Sequence, residues 1–292
     1  MKKRINTYTL PRNLYKVFLD LVPRSKTKPF HKSNIQIINI FIRRVRTGCQ
    51  YRELGADWKS VYYRIKKWEE LGIIDKLLEL IQRHLNLFLS EEYILIMDTQ
   101  SIANTKYSHE KGYDANKKIS GLKRCPFVGI KGELLDMFVY PASDHERTCL
   151  EKSLESLQAR KIFENAKITI FADKGFFGKE YIKKLELKFG VTLKIMIIDY
   201  HDINKVNANT KNKWKDMHPI AKQVYIEEGE IIKKKNKQIS IIRQVVEHFF
   251  AWLRDYRILN FNYERYFKSH RTACIIAAIT ILFRKAEGSS TR

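Results

Sequence analysis

Apolar residues recur along this chain with two different rhythms, helical in the first third and in short continuous runs thereafter. In Asn34 to Val45, Ile35, Ile38, Ile42 and Val45 fall on one helical face, and Arg43, Arg44 and Arg46 crowd the last turn. Gly48 follows as a candidate left-handed cap, suited to a helix whose end carries cations. Asp57 stands where an N-cap would open a second helix, Trp58 to Leu71, with Val61, Ile65 and Trp68 on one face. A third helix is expected over Ile74 to Phe88, so residues 1–89 read as an all-α domain. Three short helices with a glycine turn and a basic second helix suggest a helix-turn-helix DNA-binding unit. An all-α packing module with a solvated basic face has the same pattern.

From Ser90 onward the period changes. Tyr93 to Met97 is an unbroken apolar run ending at Asp98, as a buried central strand should be. Cys125 to Ile130 and Leu134 to Tyr140 predict two more strands, joined by the turn Lys131-Gly132-Glu133. Arg147 to Arg160 predicts a helix, Lys167 to Ala172 a strand ending at Asp173, Lys179 to Phe189 a helix, and Val191 to Ile198 a strand. A strand meander followed by alternating helices and strands describes a mixed α/β sheet over residues 90–292. Between Asp199 and Ser240 the pattern dissolves into Asn204 to Asn212 and a lysine run, Lys233 to Lys237, read as a basic insertion or solvated loop. A long helix, Ile241 to Ile258, and an apolar helix, His270 to Lys285, close the chain before a frayed tail from Glu287.

Composition sharpens this picture. With 44% hydrophobic residues, 16 Phe and 15 Tyr among 292 residues, the chain can bury a large core, which excludes overall disorder. The formal charge is +23, from 55 Lys plus Arg against 32 Asp plus Glu, and it points to a polyanionic partner. Residues 1–90 hold 19 basic and 7 acidic side chains, so both regions are basic. The apolar run Ala273 to Phe283 is too short to span a bilayer, and Met1-Lys2-Lys3-Arg4 leads into polar residues, so no membrane association is expected. The scattered Cys49, Cys125, Cys149 and Cys274 have no zinc spacing and fit reduced thiols in the cytoplasm.

Asp98 and Asp173 each end a run of β-formers, where ligand sites of α/β sheets gather. Together they suit a hard cation such as Mg²⁺; singly, each is better read as capping the following turn through an Asx hydrogen bond. On the helix from Ile241, Arg243, Glu247, Phe250 and Arg254 form a narrow stripe on an otherwise largely apolar surface. It is either an ordinary Arg–Glu pair or a glutamate completing a metal triad between phosphate-holding cations.

Five segments in order resemble bacterial DDE-type insertion-sequence transposases, in the group of insertion sequence family five. They are Arg46 to Leu54, Asp98 to Ser101, Gly112 to Arg124, Ala172 to Phe176 and Val246 to Leu253. The resemblance implies an RNase H-like mixed-sheet catalytic core, with Asp98, Asp173 and Glu247 as catalytic and metal-binding residues. It further implies a Tyr, Arg, Glu, Lys signature, of which Arg243 and Glu247 match; Arg254 replaces Lys and Ser240 replaces Tyr. Two Mg²⁺ ions, with Mn²⁺ as substitute, would serve the two ends of an in-line phosphodiester displacement.

The expected function is a transposase that binds terminal inverted repeats and carries out strand cleavage and strand transfer, as a homodimer on double-stranded DNA, with the nucleoid as its location. Lys117, Lys118, Lys123 and Arg124, on the loop after the first catalytic strand, would hold backbone phosphates. Lys59, Arg64, Lys66 and Lys67 are candidates for reading the repeats, or simply a solvated face. The alternatives are a non-catalytic repressor derived from a transposase and an RNase H-like nuclease without strand transfer.

Overall fold

The computed structural model describes residues 9–23, 33–55, 57–87, 91–162, 166–196 and 219–289. Four helices come first: α1 (Tyr15–Leu21), α2 (Asn34–Thr47), α3 (Trp58–Glu70) and α4 (Ile73–His84). Ser33 and Gln36 form a reciprocal capping box at the start of α2. At its end Gly48 is left-handed, with φ 74°, and its N–H donates to the Arg44 carbonyl, as the cation-rich last turn predicted. Asp57 precedes α3 but makes no side-chain cap bond to it.

A sheet follows, built from β1 (Glu92–Met97), β2 (Gln100–Ala103), β3 (Gly112–Asp114), β4 (Ile119–Gly129), β5 (Leu134–Pro141), β6 (Lys167–Ala172) and β7 (Val191–Ile195). Helices α5 (Glu146–Ala159) and α6 (Lys179–Phe189) connect the later strands; α7 (Pro219–Arg254) and α8 (Phe267–Ser289) end the chain. Strand β4 pairs antiparallel with β5 on one edge and with β1 and β2 on the other, while β6 and β7 add in parallel beyond β1. An antiparallel meander extended by parallel strands is the mixed sheet expected of an RNase H-like core.

Both faces of this sheet are covered, which explains the continuous apolar runs. Leu95 and Met97 of β1 face a core completed by Leu150, Leu154 and Leu157 of α5 and Leu185 of α6. Ile96, between them, faces the opposite core with Phe171 of β6, Phe249 of α7, Ile275 of α8 and the apolar faces of α1 to α4. The helical start and the sheet therefore share one hydrophobic core. Polar locks reinforce it: Gln82 of α4 donates to the Leu134 and Leu135 carbonyls at 2.7 and 2.9 Å. Arg271 of α8 bridges Asp75 of α4 at 2.6 Å and the buried Asp136 of β5 at 2.7 Å.

Several expectations need correction. The segment Gly112 to Arg124 is a β3–β4 hairpin rather than a loop, its turn held by Asp114, which accepts from the Asn116 and Lys117 N–H groups. Helix α7 starts at Pro219, not Ile241, and stops at Arg254 rather than Ile258; the lysine run is one exposed stretch of this helix. Lys, Glu, Gln and Ile are adequate helix formers, and a Gln223–Glu227 bond of 2.9 Å adds an i,i+4 contact. The helix expected to reach Phe88 ends at His84, and the strand expected to reach Ile198 ends at Ile195. Asn204 to Asn212 and the first eight and last three residues lie outside the described residues. Among the described residues no helix is long and apolar enough to cross a membrane.

Candidate active site

The register of β1 and β6 builds the site. Ile96 pairs with Phe171 in a parallel ladder. Asp98 and Asp173, each two residues further on, therefore leave neighbouring strands side by side at their carboxyl ends. The Arg243 guanidinium of α7 bridges them, 3.5 Å from Asp98 Oδ2 and 3.0 Å from Asp173 Oδ1. The Arg243 side chain is only 13% exposed, so this contact is worth more than a surface pair.

Two further groups complete the local network, and neither was evident from the sequence. The Thr99 N–H donates to Asp98 Oδ1 at 2.7 Å, and the Thr99 hydroxyl donates to Glu146 Oε1 at 2.6 Å. Glu146 opens α5, and a Cβ placed on Gly175 would lie 3.1 Å from its Oε2. This third carboxylate thus sits between the turn after Asp98 and the turn after Asp173. Burial pushes the Asp98 carboxyl above its ordinary pKa, and the nearby charges of Asp173 and Glu146 push the same way; the Thr99 N–H and Arg243 oppose the shift. An acidic residue in a helix's first turn is common for dipole reasons alone, so Glu146 carried no distinguishing signal.

Glu247 lies one turn beyond Arg243 on the same stripe, and it is exposed. Among the described residues no three His, Cys, Asp or Glu side chains gather closely enough to hold a metal ion. The structure therefore brings together Asp98, Asp173 and Arg243, and leaves Glu247 outside that contact.

The candidate DNA contacts divide into free and engaged cations. Lys59, Lys117, Lys118 and Arg254 are exposed, as is Lys67, which pairs with Glu70 at 3.5 Å on the surface of α3. Lys123 and Arg124 lie within β4, not on a loop: Lys123 donates to the Asp144 carbonyl at 2.6 Å, and Arg124 is buried against Gln100. Arg64 is buried, bonding Asn34 and facing the Trp68 ring. Lys66 pairs with Glu69 at 3.1 Å and contacts Ser269. Basic character was legible for these four; their inward direction follows from tertiary packing and was not.

The family model "Transposase DDE domain" matches residues 89–282. No curated protein matches the chain. Among solved structures, the Mos1 mariner paired end complex with Mn aligns at 10% identity and a TM-score of 0.25, over 82% of this chain and 83% of that one. The Drosophila P element transposase strand transfer complex aligns at 10% identity and a TM-score of 0.29, over 96% and 87%. Those scores carry no inference; the family model, spanning about two thirds of the sequence and both aspartates, does. The chain belongs to the transposase DDE domain family.

Proposed function

We propose that this chain is a transposase of the insertion sequence family five group. In this reading it binds terminal inverted repeats and performs divalent-metal-dependent strand cleavage and strand transfer on double-stranded DNA as a homodimer. One observation carries the reading: two carboxylates at the carboxyl ends of adjacent parallel strands, in a chain of this family, with a cation held between them.

The donor chemistry fits a hard divalent ion. Asp98 and Asp173 supply carboxylate oxygens, and the position Arg243 takes against them already stabilises positive charge. Glu247, about 5–6 Å along the same helical stripe, would supply the third carboxylate. When bound, Mg²⁺ or Mn²⁺ would supply Lewis acidity to an attacking water or 3′-hydroxyl and to the leaving oxygen. The protein's own residues position the substrate. The Thr99 N–H fixes Asp98, Arg243 and Arg254 hold phosphate oxygens, and Lys117 and Lys118 grip the backbone from the hairpin turn. Lys59 and Lys67, on the exposed face of α3, are the proposed readers of the repeats.

The Arg243 ion pairs, which engage both aspartates, favour one rival: a repressor derived from a transposase. Cleavage of DNA carrying the element's ends separates the two. A transposase nicks those ends only with Mg²⁺ or Mn²⁺ present; a repressor binds them and leaves them intact.

A further inference from the structure

A second polar site lies away from the aspartates, where the chain after α2 meets the segment between α7 and α8. Tyr51, Trp58, Tyr62, Tyr63, Tyr263 and Tyr266 line an open cleft of about 390 Å³. That volume lies within the roughly 300–1,000 Å³ usual for small-ligand sites. Its floor is rigid. Arg44 and Glu264 form a buried ion pair of 2.7 Å, and the Arg44 guanidinium lies 3.8 Å from the centroid of the Tyr51 ring. Tyr51 and Tyr62 meet edge to face at 5.2 Å, and Tyr62 meets Tyr63 at 5.5 Å.

The rim is unlike the floor. Tyr63, Tyr263 and Tyr266 remain 66%, 50% and 42% exposed. Three large rings left in water around one cleft are a surface awaiting a flat partner. Arg52 and Arg265 also line the cleft, are exposed, and have no ion-pair partner among the described residues. The acids present are already engaged, Glu264 by Arg44 and Glu69 by Lys66. The free charge of the cleft is therefore positive. Gln50, Tyr51 and Arg52 come from the Arg46 to Leu54 segment, whose sequence the catalytic site does not use.

We propose that this cleft binds an unpaired nucleotide of DNA, its base stacked on the rim tyrosines and its phosphates on Arg52 and Arg265. A duplex hides its base faces and offers only groove edges and phosphates. An unpaired base presents a π-face that any aromatic platform can take. The proposal rests on the chain acting on DNA, and it adds a single-strand site distinct from the carboxylates.

The test is fluorescence anisotropy of the full chain with labelled (dT)12 and with a 12-base-pair duplex, in EDTA so that no cleavage intervenes. Tyr63→Ala and Tyr263→Ala are each expected to weaken (dT)12 binding about 5- to 150-fold, the range for loss of one stacked base, with duplex binding within twofold of wild type. Tyr63→Phe and Tyr263→Phe should retain binding, and unchanged thermal midpoints establish that the variants are folded. Equal binding of (dT)12 by wild type and the alanine variants overturns the proposal. So does equal loss on (dT)12 and duplex, or a wild type that prefers duplex. Failure of metal-dependent cleavage, with (dT)12 binding still dependent on the tyrosines, would instead remove the transposase reading alone.

Discussion

At the scale of single residues, the chemistry hangs on charges that burial has made consequential. Asp98 has a raised pKa, so the folded state holds a proton that the unfolded chain releases near the ordinary carboxylate value. Metal-free stability should therefore fall as pH rises from that value through the Asp98 pKa, and Asp98→Asn should flatten this part of the profile. Urea titrations at pH 4 to 7 in EDTA test it. His270 works in the opposite sense. It is buried, its Nδ1 is 3.1 Å from Asn262 Oδ1, and burial first and Arg124 second hold its pKa well below the ordinary one. The unfolded chain takes up a proton that the fold refuses, so stability should drop as pH falls below about 6.5. His270→Gln should remove that dependence. Asp98 and Asp173 were legible in the sequence because an apolar run ending in Asp is a local signal. Arg243 was legible as a member of Glu247's stripe, but not as the group that reaches the aspartates, since that depends on where α7 crosses β1 and β6. Thr99 and Glu146 had no local signal at all.

At the scale of elements, two devices fix how the helices meet the sheet. Gly48 closes α2 in the left-handed region, and a Cβ there would lie 3.1 Å from Arg257 Cβ. Gly48→Ala should cost about 1–2 kcal/mol from backbone conformation alone. That loss should appear as a lower urea midpoint with an unchanged slope. Asp136 is held by Arg271 and Arg160 and is 1% exposed. Asp136→Ala leaves Arg271 with Asp75 as its remaining carboxylate and exposes Arg160 to solvent, and should cost about 1.5–3 kcal/mol in the same titration. Gly48 could be read from its neighbours, a basic last turn followed by Gly. Asp136 sits in a strand like any other residue, and only the approach of α8 gives it meaning. The elements misread from sequence failed for the same reason. Strand β2 is short and polar at Gln100 and Ser101, and becomes a strand because β4 offers it a partner. The first half of α7 is too polar to show an apolar stripe, so its lysines looked like a loop.

At the scale of the molecule, a charge of +23 is distributed unequally between work on DNA and work inside the fold. Arg124, Arg64, Arg44 and Arg271 are committed to internal contacts. Lys59, Lys67, Lys117, Lys118 and Arg254 are exposed and define a proposed DNA face. If these five meet phosphates, log K against log[salt] should have a slope of roughly −4 to −5 on duplex DNA. Alanine at any one should reduce the slope by about 0.9, whereas Arg124→Met should leave it unchanged while lowering stability. Filter binding across 50–200 mM salt measures both.

The central claim, that the aspartates on adjacent strands run metal-dependent chemistry on DNA, has one direct test. It is strand cleavage of DNA bearing the element's ends, with Mg²⁺ or Mn²⁺, by wild type and by Asp98→Asn, Asp173→Asn and Glu247→Gln. The expected result is metal-dependent nicking by the wild type and at least about a hundredfold loss in each variant, with DNA binding retained. Nicking at the wild-type rate by any of the three would contradict that residue's role, and undiminished nicking by both aspartate variants would contradict the claim as a whole.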